Sequence, residues 1–576
     1  VAQSHIPDSF VFKTDRPWPN ARLKVAAIIG HATSDSARVW LRTGRPGEFS
    51  LLVYPREAAL ASSAGEAGLR AALSAAPLPL EDASAVLPEM RREDFEIADY
   101  AADTTRVVEL RGLAPDTRYG YVLYARDRER VVLGHNRLRR FRTPPPENER
   151  RAFQFALFSC HKPYAVNGLF HQRTETANLD MWDFLGATLR RHENEVDLVI
   201  AGGDVCYSDG VETLDIWRHL NRTMRKEDGR LLPDEKAMLS WYRDIYRGYW
   251  GFESVQQVFD GFPTYMIWDD HEIGDGWGSY YFDPEDGQDG VRRLLPDFEE
   301  RGLSHGEGRE LMRRMFRAAR RAYFEYEHSH NPPTADGALD YGFRRGGCAF
   351  YVLDGRGQRD VERQSYRILG REQFDRFAAW VGGLTPEDTP FLFVVSAVPV
   401  LHTRAALVQA DEHLGGLGDD LRDSWEHELH TTEREALMKV LFDAAARGIK
   451  VSVLSGDVHV SAVFAIEDGA GHRIYQLTSS AITYSLSLPQ SWVLRLGAAD
   501  DGETAEGYRF ERLALYTQSS YALISVDPQA GEAWFKLYSG QALDAPPAVG
   551  GGAVALSHSL AKICLFQNGG ELERGA

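Results

Sequence analysis

Residues 196–207, Val196-Asp197-Leu198-Val199-Ile200-Ala201-Gly202-Gly203-Asp204-Val205-Cys206-Tyr207, run from an apolar stretch through two glycines into a carboxylate, a thiol and a phenol. A Val- and Ile-rich run bounded by glycine reads as a strand buried on both faces. Gly202 and Gly203 permit the tight turn and close backbone approach that a strand-tip site needs. The same form recurs along the chain. Phe155 to Phe158 leads into Ser159-Cys160, Tyr265 to Trp268 into Asp269-Asp270-His271-Glu272, and Ala349 to Leu353 into Asp354-Gly355-Arg356. Phe391 to Val395 leads into Ser396, and Val451 to Leu454 into Gly456-Asp457-Val458-His459. Open sheets bind ligands at one strand end, so these tips are expected to converge, which makes a metal-dependent hydrolase the leading reading.

A chain of 576 residues is expected to hold more than one core, since single cores stop growing at roughly 250–300 residues. No apolar stretch reaches the roughly 20 residues needed to span a bilayer. The formal net charge of −19 opposes the basic footprint of a protein that grips nucleic acid, so no stable nucleic acid partner is expected. The Arg313–Arg321 cluster alternates with Leu311, Met315, Ala319 and Ala322 at helical spacing and reads first as a solvated helix face, with an anion-attracting rim as the alternative. Four cysteines make no disulfide scaffold in a chain this long. Cys348 and Cys564 read as inert core, whereas Cys160 closes a strand beside Ser159 and His161. The chain opens on Val1-Ala2-Gln3 without a leader, which suits a cytoplasmic protein or the mature form of an exported one.

Residues 1–21 read as an N-terminal extension and 22–146 as an all-β unit. Ala37 to Arg42, Thr105 to Leu110 and Tyr119 to Tyr124 alternate inward and outward, and the Ala- and Leu-rich stretch near 57–92 reads as an insertion. Leu113-Ala114-Pro115-Asp116-Thr117-Arg118-Tyr119 looks like the tyrosine corner of a fibronectin III-like β-sandwich. Pro144-Pro145-Pro146 then makes a stiff linker. From 150 to 565, strands alternate with helical patterns at Met181 to Arg191, Arg371 to Trp380 and Thr432 to Ala446, which argues an α/β layered domain. Helical insertions near 212–258 and 285–335 are candidates for lids or pocket walls. Tyr521 to Val526 and Ala533 to Tyr538 form a strand pair, and 566–576 is a tail.

Phosphoryl transfer needs hard oxygen ligands for metal ions and an acid for the departing oxygen. Asp204, Asp269, Asp270 and Asp457 supply carboxylates, and His271 and His459 supply imidazoles. Each has a bland alternative. Asp204 has a helix cap as its lesser alternative, His271 hydrogen-bonded scaffolding, Tyr207 core packing, and Asp269 or Glu272 the holding of a neighbouring Arg. Their joint occurrence at successive strand ends is what favours a site.

Ser159-Cys160, Gly203-Asp204-Val205-Cys206-Tyr207, Trp268-Asp269-Asp270-His271-Glu272, Leu353-Asp354-Gly355-Arg356, Ser455-Gly456-Asp457-Val458-His459 and Thr478-Ser479-Ser480-Ala481-Ile482-Thr483 resemble, in order, the PhoD-like alkaline phosphatase family of metallophosphatases. The resemblance implies an αββα sandwich of two sheets flanked by helices, phosphodiesterase or phosphomonoesterase activity, and a site of Fe³⁺ and Ca²⁺, with Zn²⁺ or Mn²⁺ as alternatives. On that pattern Asp204 bridges metals, Cys160 and Tyr207 bind iron, and Asp270, Asp457 and His459 complete the cluster. Thiolate and phenolate suit a high-valent transition metal, whereas Ca²⁺ takes carboxylate oxygens. A metal-bound hydroxide is then expected to attack phosphorus in line, with His271 assisting the leaving oxygen and Asp269 beside it. Arg356 is a candidate phosphate clamp, with a structural pair to Asp354 as its alternative. Two departures bear on substrate contacts: Gly355 stands where the family usually carries Thr, and Asp423-Ser424-Trp425-Glu426-His427 follows its Asp-x-Trp motif only in part. Asp275-Gly276-Trp277-Gly278-Ser279 reads as pocket lining or as a structural loop. The substrate expected is a small-molecule or polymeric phosphate ester. Rival readings are a nuclease or phospholipase-type diesterase on the same scaffold, and a Ca²⁺-binding adhesion or carbohydrate-binding protein.

Overall fold

The computed structural model describes residues 23–166, 174–176, 178–209, 215–282, 289–335, 337–362, 365, 367–404, 422–484, 488–540 and 557–566. The N-terminal extension, the C-terminal tail after 566 and parts of both insertions therefore lie outside the described residues.

All six apolar runs are strands, and they divide three and three between two sheets. The first sheet orders Thr264–Ile267, Val196–Gly202, Phe153–Phe158, Tyr521–Asp527, Glu532–Gly540 and Ser557–Phe566. Its first three strands are parallel, with Leu157 opposite Ile200 and Ile200 opposite Tyr265. The second sheet has eight strands, among which Cys348–Val352, Phe391–Val395, Lys450–Ser455 and Arg473–Thr478 run parallel. Here Val352 faces Val395, which faces Leu454, and Leu454 faces Leu477. This shared register makes the strands of each sheet end at one level.

The continuous apolar runs reflect burial on both faces. In Phe391–Val395, the odd residues Phe391, Phe393 and Val395 join the core between the sheets, while Leu392 and Val394 pack under Arg371–Gly382 and Thr431–Ala446. Phe155 of the first sheet meets Phe350 and Phe393 of the second with ring centroids 5.3 and 5.0 Å apart, contacts worth roughly 0.5–1.5 kcal/mol each beyond burial. Asp180–Arg191 and Glu253–Phe259 cover the outer face of the first sheet. The result is helix, sheet, sheet, helix: the α/β layering that the strand and helix alternation predicts, in the αββα form that the family resemblance implies.

The segment before this body is a β-sandwich. Ala26–Ala32, Ser36–Arg42 and Thr105–Arg111 form one sheet; Gly47–Pro55, Arg91–Ile97, Arg118–Ala125, Arg130–Leu133 and Arg139–Arg142 form the other. Ile29, Val39 and Leu41 pack against Leu51, Val53 and Leu123 between them. The Tyr119 hydroxyl accepts from the Ala114 amide at 2.8 Å, the back-bond of a tyrosine corner. Three helices, Arg56–Ser62, Glu66–Leu73 and Leu80–Val86, fill the inserted stretch.

The helices of the two longer insertions act as buttresses. Glu235–Tyr249 and His305–Tyr326 pack against both the sandwich and the catalytic body, burying Tyr242, Tyr246, Met315, Tyr323 and Tyr326. Arg313, Arg317 and Arg321 project to solvent from His305–Tyr326, and Arg317 pairs with Glu235 at 2.8 Å, so the arginine cluster is the solvated face of that helix. Buried Asp103 ties the sandwich to this layer: it pairs with Arg42 at 3.1 Å and Arg247 at 2.6 Å and accepts from the Tyr326 hydroxyl. Removing one partner of a buried pair leaves uncompensated charge behind. Asp103→Ala is expected to cost about 3–5 kcal/mol in denaturant unfolding, against under about 1 kcal/mol for Arg317→Ala on the exposed face. Equal losses for the two would refute Asp103 as the joint.

Candidate metal centre

Strand tips from both sheets meet at one place, and glycine sets how closely. A Cβ on Gly456 would lie 2.4 Å from Ser159 Cβ and 2.9 Å from the Gly202 carbonyl oxygen, so only glycine lets the second sheet's tip touch the first's. Residues 478–483 stitch the contact. Ser479 Oγ donates to the Leu157 carbonyl at 3.1 Å, and the Ile482 amide donates to the Ser159 carbonyl at 2.9 Å.

Around this contact the backbone is held in the left-handed region at Cys160 (φ +57°), Asp204 (+58°), Asp457 (+63°) and His459 (+55°). Such residues cost about 1–3 kcal/mol each and collect where function requires them. Four of the six expected metal ligands share this conformation. Glu272 holds the first sheet's loops: its carboxylate accepts from the amides of Asp269 at 2.7 Å, Asp204 at 3.2 Å and Cys206 at 3.1 Å. It therefore holds backbone and not a neighbouring Arg.

Asp204 lies at the centre. Its Oδ2 takes the Tyr207 hydroxyl at 3.1 Å and the Cys160 sulfur at 3.5 Å, and its Oδ1 is buried with no hydrogen-bond partner. Oxygens of Asp204, Asp269, Asp270 and Asp457 all lie within 4.8 Å of one another. Asp269 Oδ2 and His459 Nδ1 are likewise buried without partners. Unpaired donors in a carboxylate cluster are costly unless a cation completes them, so the residues present fit a metal centre. The two sides differ in chemistry, a sulfur and a phenol against four carboxylates.

Electrostatics agree. Burial, and then the neighbouring carboxylates, push Asp457 well above the ordinary carboxylate range, while Asp204 is raised first by burial and next by Asp269 and Asp270 against the pull of His271. Asp269 rises to about 6, mainly through burial, with Arg356 opposing. Burial would raise Asp270 too, but His271 and Arg356 hold it below its usual value. Burial, then Asp204, raises the Cys160 thiol and the Tyr207 phenol. A bound cation inverts this logic and favours every anion in the cluster.

His271 lies against Tyr207 with ring centroids 4.0 Å apart and is bonded through Nδ1 to Asp209 at 2.6 Å. Burial disfavours its imidazolium, but Asp209, Asp270 and Asp204 outweigh that and raise it well above 6.5. Arg356 is fully buried. Its Nε donates to Asp269, and its Nη1 donates to Asp423 and the Trp277 carbonyl at 2.6 and 2.8 Å. Nη2 faces Asp270 at 3.6 Å without a hydrogen bond. With Nε and Nη1 committed to protein, the guanidinium is a brace for the acidic loops more than the bidentate clamp the sequence suggests. Asp354 does not pair with it; that carboxylate accepts from Trp268 Nε1 at 2.7 Å and from the amides of Arg356 and Gly357. Ser396 donates to the Val398 carbonyl and accepts from Trp425, a structural tie. Gly276 of the 275–279 loop donates to Asp270 at 2.9 Å, and Asp275 forms a further possible donor group with Asp209 and His271.

Three residues here escape motif reasoning. Asp209 stands two positions past Tyr207, and its role is visible only once His271 is placed. Lys162, two positions past Cys160, extends its amine to 5.0 Å from the Tyr207 ring and 4.6 Å from Tyr484. Tyr484 in turn stacks on His459 at 3.7 Å. A cation following so closely on the Ser159-Cys160 tip is the signal that could have found Lys162.

The model of the PhoD-like phosphatase family matches residues 155–521. The chain belongs to the PhoD-like phosphatase family. The fold is similar to that of a solved PhoD, at a TM-score of 0.61 and 16% identity over 97% of this chain and 93% of that one. A purple acid phosphatase from yellow lupin, Lupinus luteus, aligns over 90% of this chain and 72% of its own at a TM-score of 0.49 and 11% identity. An uncharacterized Saccharomyces cerevisiae protein, YGR266W, is 22% identical over 367 residues; the match covers 52% of this chain and about half, 49%, of the yeast protein. Within the PhoD-like family, this donor set is that of a metal-dependent phosphoesterase site.

Metal removal gives a test with a definite sign. Without a cation, native Asp269 keeps its proton up to about pH 6, whereas an unfolded chain releases it near 3.8. The native state then binds more protons across that window, so stability falls as pH rises through it. Chelated protein is expected to lose thermal midpoint between about pH 4 and 6 while metal-loaded protein does not. Parallel profiles with and without chelator would show that the cluster holds no cation.

Proposed function

We propose that this chain hydrolyses phosphoric esters as a phosphatase or phosphodiesterase of the PhoD type, with Cys160, Asp204, Tyr207, Asp270, Asp457 and His459 holding the metal ions. The observation that carries this reading is Asp204, with sulfur and phenol on one oxygen and no partner on the other. Fe³⁺ suits the Cys160 and Tyr207 side, and Ca²⁺ suits the carboxylate side. Metal ions held there supply Lewis acidity and offset the charge of the phosphoryl group.

The chain's own residues supply the rest. His271, fixed through Nδ1 by Asp209, keeps Nε2 to donate a proton to the leaving oxygen. Asp269 and Arg356 are positioning residues: the guanidinium holds Asp269 and partly offsets the acidic loops. Lys162 carries an ammonium that Asp209 and other nearby acidic groups keep charged against burial, and it attracts the substrate anion.

His271→Ala is expected to retain its metals and lose about 10²–10⁴ in kcat on an aryl phosphate. Asp209→Asn lowers the His271 pKa, so the alkaline limb of its kcat profile moves to lower pH. Full turnover in His271→Ala would remove the proton role; loss of metal would make His271 a ligand instead. Lys162→Ala is expected to raise KM roughly tenfold with kcat nearly unchanged, the signature of lost ground-state attraction. An unchanged KM would remove Lys162 from substrate binding.

A further inference from the structure

A cavity of about 420 Å³ lies at the opposite end of the catalytic strands from the metal centre. Asp197 opens Val196–Gly202 and lines the cavity, whereas Asp204 follows that strand's other end. Pro263 lines it just before Thr264–Ile267, whose far end leads to Asp269. Strand rise of about 3.3 Å per residue places the two sites roughly 20 Å apart. The opposite wall comes from the sandwich, through Arg139–Arg142, Arg118 and Arg70 of the inserted helices.

In a chain of net charge −19, this cleft is lined by six arginines against four carboxylates. Asp260 is taken by Arg137 at 2.5 Å and Arg139 at 3.1 Å, and Glu193 by Arg140 at 2.5 Å. Among the described residues, Arg190, from Asp180–Arg191, donates to the Gln257 side-chain oxygen at 2.9 Å and Arg70 to the Asn136 carbonyl at 3.4 Å, with no carboxylate partner for either. Neither has an ion-pair partner among the described residues, and both are exposed to the cleft's mouth. Partial burial of its stem, and then the like charge of Arg140, lower the Arg190 pKa. Phe141, Phe262 and Pro144 give the cavity an apolar side.

We propose that this cleft between the sandwich and the catalytic body is a second anion site, which binds a di- or triphosphate group apart from the metal centre. Guanidinium groups match phosphate oxygens two at a time, and the cavity's lining brings in the leftover charge of Arg70 from the inserted helices and of Arg190 from the catalytic body. The volume exceeds what a single phosphate needs, and the apolar side accommodates a base or similar ring.

Calorimetric titration of the metal-loaded full chain tests this with two hydrolysis-resistant probes, methylenediphosphonate and α,β-methylene-ADP, on wild type and an Arg70→Ala/Arg190→Ala double variant. Wild type is expected to show a binding event that weakens at least about tenfold in the double variant, the loss of one charge-assisted contact or more. Turnover of an aryl phosphate, which reads the metal centre, is expected to stay the same in both, so failure here is separable from failure of the phosphatase reading. Tighter binding of the nucleotide analogue identifies a nucleotide as occupant; equal or tighter binding of the diphosphonate identifies pyrophosphate. Equal affinities of both probes for the two proteins, or binding of neither probe to wild type, would overturn the second site.

Discussion

The approach of Gly456 to Ser159 and Gly202 is the contact on which the site depends. Two sheets packed through Phe155, Phe350 and Phe393 would otherwise keep a side chain's width between their tips. At Gly456 the backbones touch, and Asp457 and His459 from the second sheet come to face Cys160 and Asp204 from the first. A Cβ at this point would have to displace main chain, which cannot swing aside as a long side chain can. The in-register ends of each sheet then extend that single contact into a basin rimmed by both.

Such a basin is unstable by itself. It gathers Asp204, Asp269, Asp270 and Asp457 in a buried space, beside four ligand candidates in left-handed backbone. The protein offsets this from behind. Arg356 is fully enclosed and spans Asp269 and Asp423, and Glu272 spends its carboxylate on three main-chain amides that would otherwise be unsatisfied. Trp268 stacks on Tyr323 of the inserted helix with centroids 4.5 Å apart, so the insertions support the floor of the site. The remaining deficit is positive charge, which is what a metal-dependent hydrolase leaves for its ions.

The strands were legible in the sequence because burial on both faces leaves no polar alternation, as Phe391 to Val395 shows. The residues gathered at the strand tips were legible because each follows its strand within a few positions, so the strand pattern points to it. Their partners were not. Asp209 reaches His271 across 62 positions, and Asp423 reaches Arg356 across 67, so only the folded chain pairs them. Arg356 illustrates the limit: its near neighbour Asp354 looks like a partner in the sequence, but the local turn consumes that carboxylate through backbone amides and turns the guanidinium toward Asp269. The cavity lined by Arg70 and Arg190 belongs to the same class, since those two residues lie over a hundred positions apart in the chain.

The central claim is that Asp204 joins a thiol- and phenol-lined position to an all-carboxylate one. The most direct measurement is the visible absorption spectrum of the purified protein, with metal analysis, for wild type and Tyr207→Phe. The account predicts iron in the wild type and a phenolate-to-iron charge-transfer band that disappears in Tyr207→Phe. An active, iron-free and colourless wild type, or a band unchanged by Tyr207→Phe, would contradict it.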